Sequence, residues 1–267
     1  MELEQHRMKM TKNDTASVRT LPDDWPRILA HRGASSLAPE NTLPAFQEAR
    51  RLGCRGVELD VHRCKTGELV VVHDHWLDRI CGQHLHVESL TLAELRELDA
   101  GSHFNRKFPA LQNEAYAGER FPLFDEVLET LGPDIFLDVE LKLDSLRARP
   151  LVETVALTLS RHNRHNCIVS SFNPLAIRSY RKFGPHATAA IYCRDTSVPF
   201  FLRHRECLIF SNADIKKPAR EIALASAGFE TGNKPVIIWT VNDRETVTRM
   251  LDAGVTSLIT DRIQDFT

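Results

Sequence analysis

Several short apolar runs in this chain end in side chains that can do chemistry. Ile28-Leu29-Ala30-His31-Arg32-Gly33 closes on a basic doublet and a glycine, and Val70-Val71-Val72-His73-Asp74 on a histidine and an acid. Gly56-Val57-Glu58-Leu59-Asp60-Val61 carries paired carboxylates, and Phe136-Leu137-Asp138-Val139-Glu140-Leu141-Lys142 alternates apolar and charged residues late in an apolar run. Residues i and i+2 of a strand point the same way, so Glu58 shares a face with Asp60, and Glu140 with Lys142. Charges on a buried face must be paired or hold an ion.

Glu58, Asp60 and Glu140 together would make an oxygen-rich, negatively charged pocket of the kind hard divalent cations such as Mg²⁺ or Ca²⁺ prefer. The competing reading is that these acids merely pair with Arg32 and Lys142. Three carboxylates facing two cations favour the metal. Such a set suits phosphodiester hydrolysis. A metal polarises phosphoryl oxygens and acidifies a nucleophile, while Arg32 and Lys142 hold the charge that develops. His31 and His73 can act as base and acid on opposite sides of phosphorus, as in-line displacement requires. Which of them is the acid stays open.

From Arg27 onward, strand and helix patterns alternate to the end. The expected strands are Ile28 to His31, Val57 to Val61, Leu69 to His73, Ile135 to Leu141, Cys167 to Phe172, Thr188 to Cys193, Leu208 to Ser211, Val236 to Val241 and Ser257 to Thr260. Helical spacing marks Leu43 to Leu52, with Asn41 placed to cap it, and the run Phe124, Val127, Leu128, Leu131 before Gly132. Further helices are expected over Leu151 to Leu159, Leu175 to Phe183, Ala219 to Ala227 and around Val247 to Leu251.

The connection Cys64-Lys65-Thr66-Gly67-Glu68 is too short for a parallel crossover, which takes about a dozen residues. The Leu69 strand should therefore fold back as a hairpin, leaving eight parallel strands. The expected fold is α/β, a TIM (β/α)8 barrel with that hairpin as an extension and an insertion at about 75–120 after the second barrel strand. An open doubly wound sheet is disfavoured because no strand is followed by a Gly-rich phosphate loop. Active-site groups of such barrels sit at strand C-terminal ends. The insertion, mostly polar with one short helix at Leu92 to Leu98, would serve as a lid or specificity wall. Residues 1–22 lack periodicity and read as a flexible arm before a single domain over 23–267.

The chain has 267 residues, 42% hydrophobic and 26% charged, an ordinary soluble composition. A net charge of −2 gives no basic field for nucleic acid. The clusters Arg161-His162-Asn163-Arg164-His165 and Arg203-His204-Arg205 read as solvated faces. The six cysteines form no Cys-x-x-Cys pair, so a zinc knuckle is not expected, and Cys54 and Cys167 read as buried thiols. No secretory signal and no bilayer-spanning run is visible, so the expectation is a cytoplasmic enzyme with no stable membrane insertion, acting on a small water-soluble substrate.

Taken in order, His31-Arg32-Gly33-Ala34, Pro39-Glu40-Asn41-Thr42, Glu58-Leu59-Asp60-Val61 and Val71-Val72-His73-Asp74 resemble the glycerophosphodiester phosphodiesterase family. Leu98-Asp99-Ala100-Gly101-Ser102, Phe121-Pro122-Leu123-Phe124-Asp125-Glu126, Glu140-Leu141-Lys142, Ser170-Ser171-Phe172, Trp239-Thr240-Val241-Asn242 and Ile259-Thr260-Asp261 extend the likeness over residues 27 to 263. The resemblance implies a hydrolase that splits glycerophosphodiesters into sn-glycerol 3-phosphate and an alcohol. It implies a divalent metal, Mg²⁺ foremost with Ca²⁺ or Mn²⁺ as alternatives, on Glu58, Asp60 and Glu140, and catalysis by His31 and His73. Arg32, Lys142 and Trp239 would bind the substrate. The hairpin turn Thr66-Gly67, His103, Thr256-Ser257 and Ile263 depart from the family pattern, and His103 leaves the preferred alcohol open. Two alternatives remain: lysophospholipase D chemistry, for which Val198-Pro199-Phe200-Phe201-Leu202 offers a small apolar patch, and a non-catalytic phosphodiester-binding barrel.

Overall fold

The computed structural model describes residues 19–143, 148–194, 210–225 and 233–267. Its strands are β1 (Ile28–His31), β2 (Gly56–Arg63), β3 (Leu69–Val71), β4 (Phe136–Leu141), β5 (Cys167–Ser171), β6 (Ala187–Tyr192), β7 (Ile215–Pro218), β8 (Ile237–Ile238) and β9 (Ser257–Thr260). All but β3 run parallel, in the order β7-β6-β5-β4-β2-β1-β9-β8. Parallel bridges Lys216–Val236 and Ala219–Trp239 bring β8 back to β7 and close the ring. The fold is the TIM (β/α)8 barrel. As expected, β3 is a hairpin arm, antiparallel to β2 with Val61 opposite Val71 and Arg63 opposite Leu69.

Alternation along each strand divides the residues between two cores. Leu29, Ile168, Ala187, Ala189, Ile215, Ile237 and Ile259 fill the barrel interior. Val57, Leu59, Leu137, Val139 and Val169 face outward, against Phe46 of α1 (Leu43–Arg51), Phe124, Val127 and Leu128 of α2 (Phe124–Leu131) and Val152 and Val155 of α3 (Arg149–Arg161). At the opposite end from the strand C-termini, Trp25 meets Phe136 edge-to-face, with ring centroids 5.7 Å apart. Arg19 donates to the carbonyls of Arg181, Gly184 and His186. So Arg19, within the segment read as an arm, is bound to the barrel, while residues 1–18 lie outside the described part.

Two expectations need correction here. The strand placed at Leu208 to Ser211 is not there: Phe210 and Ser211 are helical, Leu208 and Ile209 lie outside the described residues, and the strand is Ile215–Pro218. The Lys-Lys-Pro sequence hides it, because Lys217 points into the barrel and Pro218 sits at the strand's last position, where a missing donor costs little. The insertion, mostly polar in sequence, carries a core of its own: Leu77, Ile80, Val87, Leu95, Ala100 and Phe121, with Val70 and Val72 of the hairpin arm. Arg164 is buried rather than solvated. Cys54 and Cys167 are buried thiols. Among the described residues no helix is long and apolar enough to cross a membrane.

Candidate active site

Register places the acids. Pairing of β2 with β4 sets Glu58 beside Asp138 and Asp60 beside Glu140, all facing into the barrel. Glu58, Asp60 and Glu140 are buried, and each offers an oxygen within 4.8 Å of the others. Asp60 Oδ1 is buried with no hydrogen-bond partner. Burial, and then the charge of Asp60, raise the Glu58 pKa well above the ordinary carboxylate range. A cation among these oxygens would relieve both conditions, and an all-oxygen donor set suits a hard divalent ion. The three acids therefore fit the metal expected of them.

Cations surround this cluster. Lys142 Nζ donates to Glu140 Oε1 at 2.9 Å and lies 3.6 Å from Asp60 Oδ1. Arg32 Nη1 donates to Glu40 Oε1 at 2.7 Å, and its Nε lies 3.3 Å from Asp60 Oδ2. Burial alone would raise the Asp60 pKa, but Lys142, His73 and Arg32 overcome it and hold the group ionised far below its usual range. Arg32 takes the left-handed conformation at φ 57°, uncommon for a side-chain-bearing residue. The turn also requires Gly33, at φ 81°, where a Cβ would come within 2.8 Å of the Ala45 backbone. Such outliers persist where the surroundings over-determine them, as at functional sites.

Each candidate histidine is oriented by a carboxylate on the same ring atom. His31 Nδ1 lies 2.6 Å from Asp261 Oδ1, and His73 Nδ1 lies 2.6 Å from Asp74 Oδ1. Both Nε2 atoms are thereby left for a substrate, and that of His31 stands 3.8 Å from Glu58 Oε2. Burial, then the Arg32 charge, lowers the His31 pKa against the pull of Asp261. Asp261 is also held by Asn242, and although burial opposes it, the His31 bond helps bring its pKa to about 2. Asp74 accepts from Arg79, which donates two further bonds to Glu40. A chain His73–Asp74–Arg79–Glu40–Arg32 thus ties the insertion to the barrel. Burial would raise the Glu40 pKa, but Arg79 and Arg32 bring it down to about 2.

Residues 31–265 match the glycerophosphoryl diester phosphodiesterase family. The chain belongs to this family. It is 33% identical over 237 residues to a glycerophosphodiester phosphodiesterase of Caldanaerobacter subterraneus subsp. tengcongensis, spanning 88% of this chain and 93% of that one. A glycerophosphodiester phosphodiesterase of Bacillus subtilis is 28% identical, spanning 88% of this chain and 84% of its own. Among solved structures, an Oleispira antarctica phosphodiesterase in complex with the product sn-glycerol 3-phosphate is 25% identical, with a TM-score of 0.76 over 90% of this chain and 95% of that one. The chain is accordingly a phosphoric diester hydrolase of the glycerophosphodiester phosphodiesterase family.

Of the eight sequence-assigned residues of this phosphodiesterase, His31, Asp60 and Glu140 lie in the C-terminal halves of barrel strands, Arg32, Lys142 and Trp239 just past strand ends, Glu58 one inward step before Asp60 on β2, and His73 just past the hairpin arm. Trp239, just past β8, donates from Nε1 to the Lys217 carbonyl at 3.1 Å and packs edge-to-face on Phe172 with centroids 5.6 Å apart. Sequence reading missed Lys217, whose Nζ lies 2.9 Å from Asp138 Oδ2 and 3.9 Å from Glu58 Oε1. It also passed over Asp138, although period-2 alternation already put that residue on the face of Glu140. Asn41 is not the helix cap. Thr42 holds that position, and Asn41 Nδ2 donates instead to Asp60 Oδ2 at 2.8 Å.

Proposed function

We propose that this chain hydrolyses glycerophosphodiesters to sn-glycerol 3-phosphate and a free alcohol, with a divalent metal ion, Mg²⁺ foremost, and His31 and His73 as its acid–base pair. The single observation that carries this reading is the buried Glu58–Asp60–Glu140 cluster lying beside a carboxylate-oriented imidazole. Glu58, Asp60 and Glu140 would hold the ion. When bound, the ion supplies Lewis-acid polarisation of the phosphoryl oxygens.

The chain's own residues do the rest. Asp261 and Asp74 accept from the Nδ1–H groups and so keep each Nε2 as the atom that meets the substrate. One Nε2 takes a proton from the attacking water, and the other gives a proton to the departing alkoxide, so that the new P–O bond to water forms as the bond to the alcohol breaks. Arg32 and Lys142 face the phosphate and offset the charge that builds on its oxygens. The Trp239 ring and Phe172 offer an apolar wall for the carbon part of the substrate. The product bound to the Oleispira relative supports the glycerol 3-phosphate half of the assignment.

The deciding experiment is a panel of glycerophosphodiesters assayed for released glycerol 3-phosphate, with and without chelator. Turnover that depends on added metal and disappears in His31→Ala supports the proposal. Full turnover in that variant, or none on any member of the panel with metal present, overturns it.

A further inference from the structure

Outside the catalytic cluster, one group of side chains has the composition of a metal site that the proposed reaction does not use. His62 is the next inward residue of β2 after Asp60 and is fully buried. Its Nε2 faces the backbone carbonyl of His73 at 3.5 Å, the long end of hydrogen-bond range. A carbonyl can only accept, so the proton sits on Nε2 and the lone pair on Nδ1. That Nδ1 is buried, makes no hydrogen bond, and points at Glu88 Oε1, 3.9 Å away. An imidazole lone pair aimed at a carboxylate oxygen repels it unless a cation lies between them.

A third donor stands at the same place. The His75 ring meets His62 edge-on with centroids 4.7 Å apart. Ligand atoms of His62, His75 and Glu88 all fall within 4.8 Å of one another. Backbone geometry fixes two of them together, because Val87 N–H donates to the His75 carbonyl at 2.9 Å and Glu88 follows in the short helical turn Val87–Ser89. A metal-bound histidine usually donates its other ring N–H to a carbonyl or carboxylate, which is the posture of His62. Two imidazoles and one carboxylate form the donor set of Zn²⁺ and related borderline ions, not of Mg²⁺ or Ca²⁺.

We propose that His62, His75 and Glu88 form a second, nitrogen-rich divalent-metal site, fitted to Zn²⁺, that pins the insertion to the barrel beside His73. His62 comes from a barrel strand, while His75 and Glu88 come from the start of the insertion, so an ion there crosslinks the two. Because His62 also faces the His73 carbonyl, the same ion would steady the backbone that carries the proposed catalytic imidazole.

The test is Zn²⁺ stoichiometry in the chelated, dialysed full-length protein by equilibrium dialysis and elemental analysis. The parent should retain a tight equivalent of Zn²⁺ when the acidic cluster is disabled by Glu140→Gln. X-ray absorption of that loaded variant should count two histidine nitrogens. Adding His75→Ala or Glu88→Gln should weaken this equivalent by more than the 10- to 100-fold typical of losing an outer-shell partner. His75 and Glu88 are rim positions, so the fold should survive their replacement, and far-ultraviolet circular dichroism checks it. The site is refuted if Glu140→Gln leaves no tight equivalent, or if the bound ion has no histidine nitrogen. It is also refuted if both rim variants bind Zn²⁺ as the Glu140→Gln protein does. These readouts count ions rather than turnover, so the catalytic reading stands or falls separately.

Discussion

Lys217 and Asp138 form a buried ion pair across the barrel interior, with Nζ 2.9 Å from Oδ2 and both side chains essentially without solvent contact. Ser170 also donates to Asp138, at 2.6 Å. Burial lowers the Lys217 pKa, but Asp138 and Glu58 more than reverse this, so the ammonium stays charged. Its second neighbour is Glu58, 3.9 Å away. Lys217 therefore neutralises Asp138, the acid outside the proposed ligand set, and leaves Glu58, Asp60 and Glu140 for the proposed ion.

Removing one partner of such a pair is costlier than removing both. Lys217→Met should destabilise the fold by about 3–5 kcal/mol, because Asp138 is left charged and buried. Lys217→Met combined with Asp138→Leu should recover a large part of that loss. Urea unfolding of the two variants decides the matter. Equal losses would show that the pair contributes through packing alone.

Asp261 should act as a positioning residue for His31. Replacing it by Asn keeps the shape but lets the ring present the wrong tautomer. The expected result for Asp261→Asn is a fall in kcat of about 10²- to 10⁴-fold, the range seen when acid–base groups are misaligned. KM should change little, and the limb of the pH–rate profile set by His31 should shift. A variant that alters only KM would place Asp261 in substrate binding instead.

How far the sequence could lead depended on how each residue signals its face. Glu58 and Asp60 stand two apart within an apolar strand, and nothing but an inward pair of charges explains that pattern. The hairpin was legible because a short connection cannot be a parallel crossover. Lys217 was hidden, since Ile-Lys-Lys-Pro shows no apolar alternation and its burial is sustained only by acids from other strands. Asn41 was misread for a related reason. Its type is a favoured cap, and only the fold shows that its φ of 56° turns the amide toward Asp60. The His62–His75–Glu88 grouping joins residues from a strand, a loop and a short turn, so spacing along the chain carries no trace of it.

Burial first, and then the neighbouring carboxylates, raise the Glu58 pKa, a cost that the proposed cation would remove. Glu58→Gln should therefore make the metal-free protein more stable than the parent while abolishing stabilisation by Mg²⁺. In the parent, a ligand at 100 times its Kd adds about 2.7 kcal/mol. Thermal unfolding with Mg²⁺ and with chelator, on both proteins, measures each half of the expectation. Equal Mg²⁺ stabilisation of parent and variant would remove Glu58 from the ligand set.

Acid sensitivity should come in part from His186, on the far side of the barrel from the strand C-termini. Its Nε2–H donates to the Arg164 carbonyl at 2.7 Å and its Nδ1 accepts from the Tyr180 hydroxyl at 2.5 Å, which holds the ring neutral. Burial is the main cause of a pKa lowered from 6.5 to about 4. Between those values the unfolded chain binds a proton here that the folded one refuses. Stability from this residue is thus complete above pH 6.5 and is lost as pH falls toward 4. At 1.36 kcal/mol per unit the total is about 3 kcal/mol. Gln at this position can still donate and accept but does not titrate. His186→Gln should flatten the decline of unfolding free energy between pH 6.5 and 4 relative to the parent, as read from urea curves at intervals across that range. Parallel declines in the two proteins would mean that the ring accepts its proton without cost in the fold.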